Sequence, residues 1–254
     1  MITGAKAMVK GLKEQGVDIM FGYPGATICP FYDELAKDGT IRHILVRQEQ
    51  NAGHMASGYA RKSGKVGVCV VTSGPGATNL ITGIATVYMD SIPIVAITGQ
   101  VATAMLGRDV FQEVDITGAC APFVKHSYLV KDARELPRIM REAFHIASTG
   151  RPGPVLIDVP SDVQNQQFEY KDPGEVNIRG YKPSITGNMK QIKKVAAEIQ
   201  VAKRPLICAG GGVFSSGAQD LIKELSDKGK IPVVTTMMGL GAIPTSDPMN
   251  MGMI

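Results

Sequence analysis

The sequence specifies an α/β protein: a doubly wound parallel six-stranded sheet, followed by the start of a second α/β domain. Three features point there. Continuously apolar runs such as Val66-Gly-Val-Cys-Val-Val-Thr72 and Ile92-Pro-Ile-Val-Ala-Ile-Thr98 read as strands buried on both faces. Helical periodicity separates these runs, the order expected of a parallel sheet with crossover helices. Glycine is plentiful, 29 in 254 residues, while aromatics make up 6% and Trp is absent. That balance suits tight loops where backbones approach closely.

The elements follow in order. Ala5, Met8, Val9 and Leu12 share one face of a helix from about Thr3 to Gln15. A short apolar run, Ile19–Gly22, ends in Tyr23-Pro-Gly-Ala26, and Pro30 suits the first turn of a helix through Leu35. Ile41–Val46 reads as a strand, Gln48–Lys62 as a helix and Val66–Thr72 as a buried strand. Ser73-Gly-Pro-Gly76 punctuates the chain before a helix over Ala77–Met89 and a strand over Ile92–Thr98. After a long connection, Gly99 to Pro122, come a strand at Tyr128–Val130, a helix at Ala133–Ser148 and a strand at Val155–Val159.

These six strands make a first domain over residues 1–160. Ligands of such sheets bind beyond the carboxyl ends of the strands. Here those ends carry Tyr23-Pro-Gly25, Ser73-Gly-Pro-Gly76 and Thr98-Gly-Gln100. Residues 161–187 show no periodicity and hold Lys171-Asp-Pro-Gly174 and Tyr181-Lys-Pro183, so they read as a linker. Over 188–254 the alternation resumes: helix Met189–Val201, strand Pro205–Ala209, helix Ala218–Lys228 and strand Ile231–Thr236. Two strands and two helices are too few to enclose a core, which predicts a truncated second domain.

The net charge of +4 is scattered, with no basic block of the kind that binds nucleic acid. No apolar run is long enough to span a membrane. Cys29, Cys69, Cys120 and Cys208 are widely spaced, so neither a zinc site nor a disulfide framework is expected. Three of them sit in apolar contexts, as reduced core cysteines do, and no signal peptide precedes the first helix. A cytoplasmic location is expected.

Three motifs carry possible chemistry. Gly210-Gly-Gly212 lies between an apolar run and a helix, where backbone N–H groups can meet a phosphate. It only approximates the dinucleotide fingerprint, and the next strand ends Thr235-Thr236 without the acidic residue that holds a ribose. A tight turn and a nucleotide site stand level there. Ser73-Gly-Pro-Gly-Ala-Thr-Asn79 is not a Walker loop, and Val71 stands where a nucleophile elbow needs glycine. It could be a strained helix cap, but its place at a strand end favours ligand contact. In Arg47-Gln-Glu-Gln-Asn-Ala-Gly-His54, Glu49 is either a helix N-terminal carboxylate favoured by the dipole or a carboxylate aimed into the cleft. His54 reads as packing, and the histidines suggest no metal site.

Seven segments run in order over nearly the whole chain: Phe21-Gly-Tyr-Pro-Gly25, Gln48 to Arg61, Thr72 to Asn79, Thr98-Gly-Gln-Val101, Phe111-Gln-Glu113, Gly150-Arg-Pro-Gly-Pro154 and Met238-Gly-Leu-Gly241. In them the chain resembles the large catalytic subunit of the acetolactate synthase (acetohydroxyacid synthase) family of thiamine-diphosphate enzymes. The resemblance implies a pyrimidine-binding domain, then a truncated central domain of the type that holds FAD. The family's third domain, with the ligands for Mg2+ and diphosphate, is not found before Ile254.

The resemblance also implies roles. Glu49 would hydrogen-bond a pyrimidine nitrogen of thiamine diphosphate and favour the imino form, whose nitrogen takes a proton from the thiazolium carbon. Pyruvate would then lose carbon dioxide, and its two-carbon unit would add to a second 2-keto acid. Pyruvate as acceptor gives acetolactate; 2-ketobutyrate gives acetohydroxybutyrate. Tyr23, Pro24, Gly25, Pro75 and Asn79 would line the pyrimidine pocket, and Gln100 would aim its amide at the reacting centre. Phe111, Gln112 and Lys125 would border the substrate channel. Arg151, Gly210, Gly211, Gly212, Thr236, Met237 and Met238 would contact FAD, which serves a structural role. One departure is Ala26, where the family carries glycine. The implied assembly is a homodimer or higher homo-oligomer with sites shared between subunits, alongside a small regulatory subunit. A related 2-keto acid decarboxylase, a pyruvate oxidase and a non-catalytic fragment are the alternatives. Gly99-Gln100 and Phe111-Gln112-Glu113 favour the synthase.

Overall fold

Buried strands and amphipathic helices alternate in the computed structural model, which describes residues 1–254 in two units, Met1–Pro183 and Ser184–Ile254. The first unit runs β1 (Ile2–Thr3), α1 (Gly4–Glu14), β2 (Ile19–Tyr23), α2 (Cys29–Asp38), β3 (Arg42–Leu45), α3 (Glu49–Ser63) and β4 (Gly67–Val71). It continues with α4 (Pro75–Asp90), β5 (Ile94–Gln100), α5 (Ile116–Cys120), β6 (His126–Leu129), α6 (Leu136–Ser148) and β7 (Val155–Pro160). Then come α7 (Ser161–Asn165) and β8 (Gln167–Phe168). Helix ends follow local chemistry: Thr3 Oγ1 accepts the N–H of Lys6 to open α1, and proline occupies the first turn of α2, α4 and α6.

The main sheet is six-stranded and parallel, in the order β3-β2-β4-β5-β7-β6. Its two faces bury alternate residues of the same strands. Val68, Val70, Val95, Ile97, Val155 and Ile157 face a core completed by α1, α2 and α6. Cys69, Val71, Ile94, Ala96 and Leu156 face the other core, completed by α3, α4 and α5. Helix α6 shows why the layers hold. Leu136, Ile139, Met140, Ala143 and Ala147 recur at helical spacing and are all buried. Each large side chain so buried contributes about 1.5–3 kcal/mol. Met140→Ala would leave a cavity costing about 2–5 kcal/mol.

The expected linker over 161–187 is not free chain. Helix α7 and strand β8 follow directly, and β8 pairs antiparallel with β1 through Ile2↔Phe168 and Thr3↔Gln167. Phe168 is buried in the first core, and Tyr170, Ile178 and Tyr181 pack against that core. The first unit therefore extends to Pro183. Elements of five and two residues are too short to print a period in the sequence. Only Cys69 and Cys120 are buried, while Cys29 and Cys208 are exposed; all four are free thiols.

The second unit holds α8 (Met189–Val201), β9 (Ile207–Ala209), α9 (Gly212–Ser215), α10 (Gln219–Gly229), β10 (Val233–Thr235) and β11 (Asn250–Met253). Its sheet is parallel, in the order β11-β10-β9. Strand β11 is an addition to the sequence reading. Asn-Met-Gly-Met lacks the β-branched residues that mark a strand, and its pairing with β10 supplies what propensity does not. Ala209, Val233, Ala242 and Ile243 form a small core, and α8 buries none of its residues.

Candidate cofactor site

Strands β2 and β4 are neighbours, yet the chain leaves β2 towards β3 on one side and reaches β4 on the other. Such a reversal opens a crevice at the carboxyl ends of the strands. The two loops beyond those ends are tied together. Thr27 Oγ1 and Thr72 Oγ1 lie 3.0 Å apart, and the N–H of Ser73 donates to Thr27 Oγ1 at 3.1 Å. From α7, Gln164 Nε2 donates to the carbonyl of Thr27 at 2.7 Å. Gly25 runs against Thr72 so closely that a Cβ on it would stand 2.5 Å from that side chain. Tyr23 and Pro24 are exposed beside it. Ala26 opens a short 3-10 turn, Ala26–Ile28, with its side chain exposed, so the methyl absent from glycine fits there.

Glu49 is the first residue of α3, behind an extended Gln48 (φ −158°, ψ 138°), and its side chain is half-buried. Asn79 Nδ2, on α4, donates to Glu49 Oε2 at 3.0 Å. Between them runs Gly76, where a Cβ would lie 2.6 Å from Thr72 Cγ2 and 3.4 Å from Glu49 Oε1. Glycine thus keeps open the space in front of the carboxylate. Gly74 adopts φ 57°, ψ −123°, a conformation that L side chains rarely enter, and the backbone of Gln112 fills the place a Cβ would take. Pro75 is exposed at the first turn of α4. Ser73 is buried, and its Oγ has no hydrogen-bond partner. A half-buried carboxylate, a glycine cradle and an orphaned hydroxyl fit a polar heterocycle held at the strand ends.

Gln100 does not aim its amide outward. It is 2% exposed. Its Nε2 donates to Asp158 Oδ2 at 2.9 Å and to the carbonyl of Val114 at 2.8 Å. Its Oε1 accepts the N–H of Val101 at 2.9 Å. Asp158 Oδ1 accepts the hydroxyl of Thr98 at 2.7 Å. Burial pushes the Asp158 carboxyl up to about 7, against the opposing pull of the Thr98 and Gln100 hydrogen bonds, with Asp115 adding to the rise. Beyond Val114, Phe111 is 87% exposed and Gln112 sits at φ 58°.

Two expected site residues lie elsewhere. Lys125 precedes β6, so it stands at the amino edge of the sheet, opposite the loops that hold Glu49. Its Nζ donates to the carbonyls of Ile146 and Thr149 and to Tyr181 Oη (2.7 Å and 3.0 Å for the last two), closing the C-terminal end of α6. Arg151, in the loop before β7, is also at that edge. Its Nε donates to Ser91 Oγ at 2.7 Å and its guanidinium to the carbonyl of Met89 at 3.4 Å. His54 is exposed and bonds Gln50 rather than packing.

In the second unit, two loops meet beyond the carboxyl ends of β9 and β10. The N–H of Thr236 donates to the carbonyl of Ala209 at 3.0 Å. A Cβ on Gly211 would lie 3.1 Å from Met238 Cβ, and one on Gly239 would overlap the Ala209 carbonyl. Gly210 lies beside Thr236, Gly212 begins α9, and Met237 is exposed. The arrangement brings Gly210–Gly212 and Thr236–Met238 together.

Sequence reasoning missed Thr72, Gly76, Asp158 and Gln164. Gly76 and Thr72 lay inside the quoted Thr72 to Asn79 segment. Asp158 carried a signal of its own, a lone acid in the apolar run Val155-Leu-Ile-Asp-Val159. Gln164 had none, because its partner lies 137 residues away.

Comparison with known proteins gives two family matches and a set of relatives. The family described as thiamine pyrophosphate enzyme, N-terminal TPP binding domain, matches residues 2–119. The central domain of thiamine pyrophosphate enzymes matches residues 192–254. The chain is 52% identical over 258 residues to the acetolactate synthase of Arthrospira platensis, covering 100% of this chain and 45% of that protein. It is 52% identical over 256 residues to a probable acetolactate synthase large subunit of Methanocaldococcus jannaschii, covering 100% of this chain and 43% of the other. It is 48% identical over 252 residues to an acetolactate synthase large subunit of Corynebacterium glutamicum, at 99% and 40% coverage. The chain therefore spans less than half the length of these relatives.

Proposed function

Because the chain belongs to the thiamine pyrophosphate enzymes, we propose that it serves the acetolactate synthase reaction by holding the pyrimidine end of thiamine diphosphate at the crevice between β2 and β4. In that reaction pyruvate is decarboxylated, and its two-carbon unit is joined to pyruvate or 2-ketobutyrate. The observation that carries the reading is Glu49, held by Asn79 at 3.0 Å in front of Gly76.

When bound, thiamine diphosphate supplies a thiazolium carbon acid that adds to a keto carbon and an electron-accepting ring. The residues of this chain hold and move a proton for it. Asn79 occupies Glu49 Oε2, which leaves Oε1, beside Gly76, to meet a ring nitrogen. A carboxyl group in hydrogen-bond reach of that nitrogen exchanges a proton with it, and the fixed Asn79 amide keeps the approach in one geometry. Gly25 and Gly76 let backbone approach the ring, and Tyr23 and Pro75 offer exposed apolar surface beside it.

The paired loops Gly210–Gly212 and Thr236–Met238 suit FAD. Strand-end glycines and backbone N–H groups are what a diphosphate needs, and Thr236 adds a hydroxyl. Mg2+ is different: no group of three His, Cys, Asp or Glu side chains in this chain could hold a metal ion. The residues here do not fit it, and no step is assigned to it. No helix is long and apolar enough to cross a membrane.

The smallest active form in this reading is a homodimer whose sites straddle the interface. Two experiments test it. Product analysis of the complete enzyme should find acetolactate; acetaldehyde or acetyl phosphate as sole product would assign it to the decarboxylases or oxidases. Mixing Glu49→Gln subunits with subunits inactivated only in the diphosphate-binding region should recover part of the activity. No recovery despite verified subunit exchange rules out a shared site.

A further inference from the structure

The polar cluster on β5 and β7 lies on the sheet face covered by α3, α4 and α5. Along that face β5 presents Ile94, Ala96, Thr98 and Gln100, and β7 presents Leu156 and Asp158. The face is apolar at its amino end and polar at its carboxyl end. A buried carboxylate there is costly unless its partners do something an apolar residue could not. What Gln100 does is reach out of the sheet. One hydrogen of its amide is held by Asp158, and the other holds the carbonyl of Val114, 14 residues on.

Val114 ends a loop that is closed on itself. The carboxylate of Glu113 accepts the N–H groups of Gly107, Arg108 and Val110. Gln112, at φ 58°, lays its backbone over Gly74, two residues from the Gly76 that borders Glu49. The loop is thus a preformed ring fastened to the sheet through Gln100 and seated on the site through Gln112.

We propose that Asp158 and Gln100 are positioning residues that fasten the 107–114 loop, and with it Phe111 and Gln112, over the Gly74–Gly76 turn beside Glu49. Gln100 then acts on the loop rather than on a substrate. That this loop faces a reacting centre rests on the function proposed above; the fastening itself does not.

The amide orientation makes the idea testable. Gln100 turns two hydrogens towards two acceptors and its oxygen towards the N–H of Val101. Asp158→Asn places an N–H2 or a single oxygen before that amide. If Gln100 flips to suit the new amide, its oxygen meets the Val114 carbonyl and the Val101 bond is lost. Thr98→Val removes only the bond on the far side of Asp158 and leaves Gln100 in place.

Hydrogen exchange of the purified protein, read without any cofactor, decides the matter. Gln100→Met should speed amide exchange over residues 107–114 about tenfold, with α3 and β4 unchanged, and Asp158→Asn, whose oxygen can still accept from Gln100, should speed it less. Thr98→Val should lower the melting temperature yet leave that loop as protected as in the parent. In the complete enzyme, Gln100→Met should lower kcat about tenfold and keep the KM for thiamine diphosphate within about twofold. Equal exchange in the loop of parent and Gln100→Met would overturn the proposal, as would equal loosening by Thr98→Val. Should Asp158→Asn not fold, Gln100→Met carries the test alone. A failure of the thiamine reading would leave the exchange result standing, so the two can be told apart.

Discussion

Asn79 Nδ2 lies 3.0 Å from Glu49 Oε2, a bond that crosses from α4 to the first residue of α3. The two helices pack together, with Gly53 and Gly83 facing each other at their crossing. A close crossing keeps the two helix starts side by side, and so one carboxylate oxygen is oriented while the other stays beside Gly76.

Glu49→Gln keeps the size of the side chain and removes the acid. The fold should persist, because Glu49 is half-buried and at a helix start, with melting changed by no more than about 1 kcal/mol. Activity of the complete enzyme should fall by about 2–4 kcal/mol of transition-state stabilisation. Acetolactate formation at saturating cofactor measures it; parental turnover would refute the role of Glu49.

Gly76→Ala and Gly58→Ala should move in opposite directions. At Gly76 a Cβ stands 2.6 Å from Thr72 Cγ2, so the turn must shift and the space before Glu49 narrows. Thiamine diphosphate binding should weaken at least about tenfold, roughly 1.4 kcal/mol. Gly58, inside α3, has nothing within 4 Å of its Cβ position. Alanine there should stabilise the protein by about 0.5–1 kcal/mol through helix propensity. Thermal melting and cofactor titration of both variants form the comparison.

Lys125→Met should destabilise without touching catalysis. The ammonium satisfies carbonyls at the end of α6 and the hydroxyl of Tyr181. Their loss should cost about 1–3 kcal/mol. Denaturant unfolding should show it, while KM for pyruvate in the complete enzyme stays at the parental value. A raised KM with unchanged stability would return Lys125 to the substrate channel.

Asp158 predicts the direction of a pH effect. Its folded carboxyl titrates at about 7, above the ordinary 3.8. Between those values the folded state binds more protons than the unfolded one, so stability falls as pH rises from about 4 to about 7, by at most roughly 1.4 kcal/mol per pH unit. The groups that face it are Thr98 and Gln100 from β5, with Asp115 and Cys120 from the α5 segment. Denaturation midpoints across that range should decline in the parent, and Asp158→Asn should flatten the decline. An unaltered slope in the variant would place the effect on other groups.

Much of this was legible in the chain. The strands from Val66 and Ile92 announced themselves because burial on both faces demands unbroken apolar runs. Prolines and glycines at helix ends marked α2 and α4 within a few residues. Glu49 stood out at a strand-to-helix junction, and the Ser-Gly-Pro-Gly turn at a strand end. Strand β11 and the β1–β8 pair left no such mark, since a strand of two to four residues is made by its partner rather than by its own composition.

What the sequence determined by itself was therefore local: which segments are strands, which are helices, and which loops lie at the carboxyl ends. A period of 2 or 3.6 residues and the φ of proline or glycine act over a few residues, and a reader of the chain meets them whole. What the tertiary structure decided was which side chains meet. Gln100 could be placed at the end of its strand, but not turned inward, because its partner Asp158 lies 58 residues further along. Lys125 could be placed before a strand, and so at its amino end, but that its ammonium meets the end of α6 and the hydroxyl of Tyr181 depends on how those segments pack. Hydrogen bonds of this kind are chosen by neighbours in space, and the competition between water and a buried partner is settled only after the layers have packed.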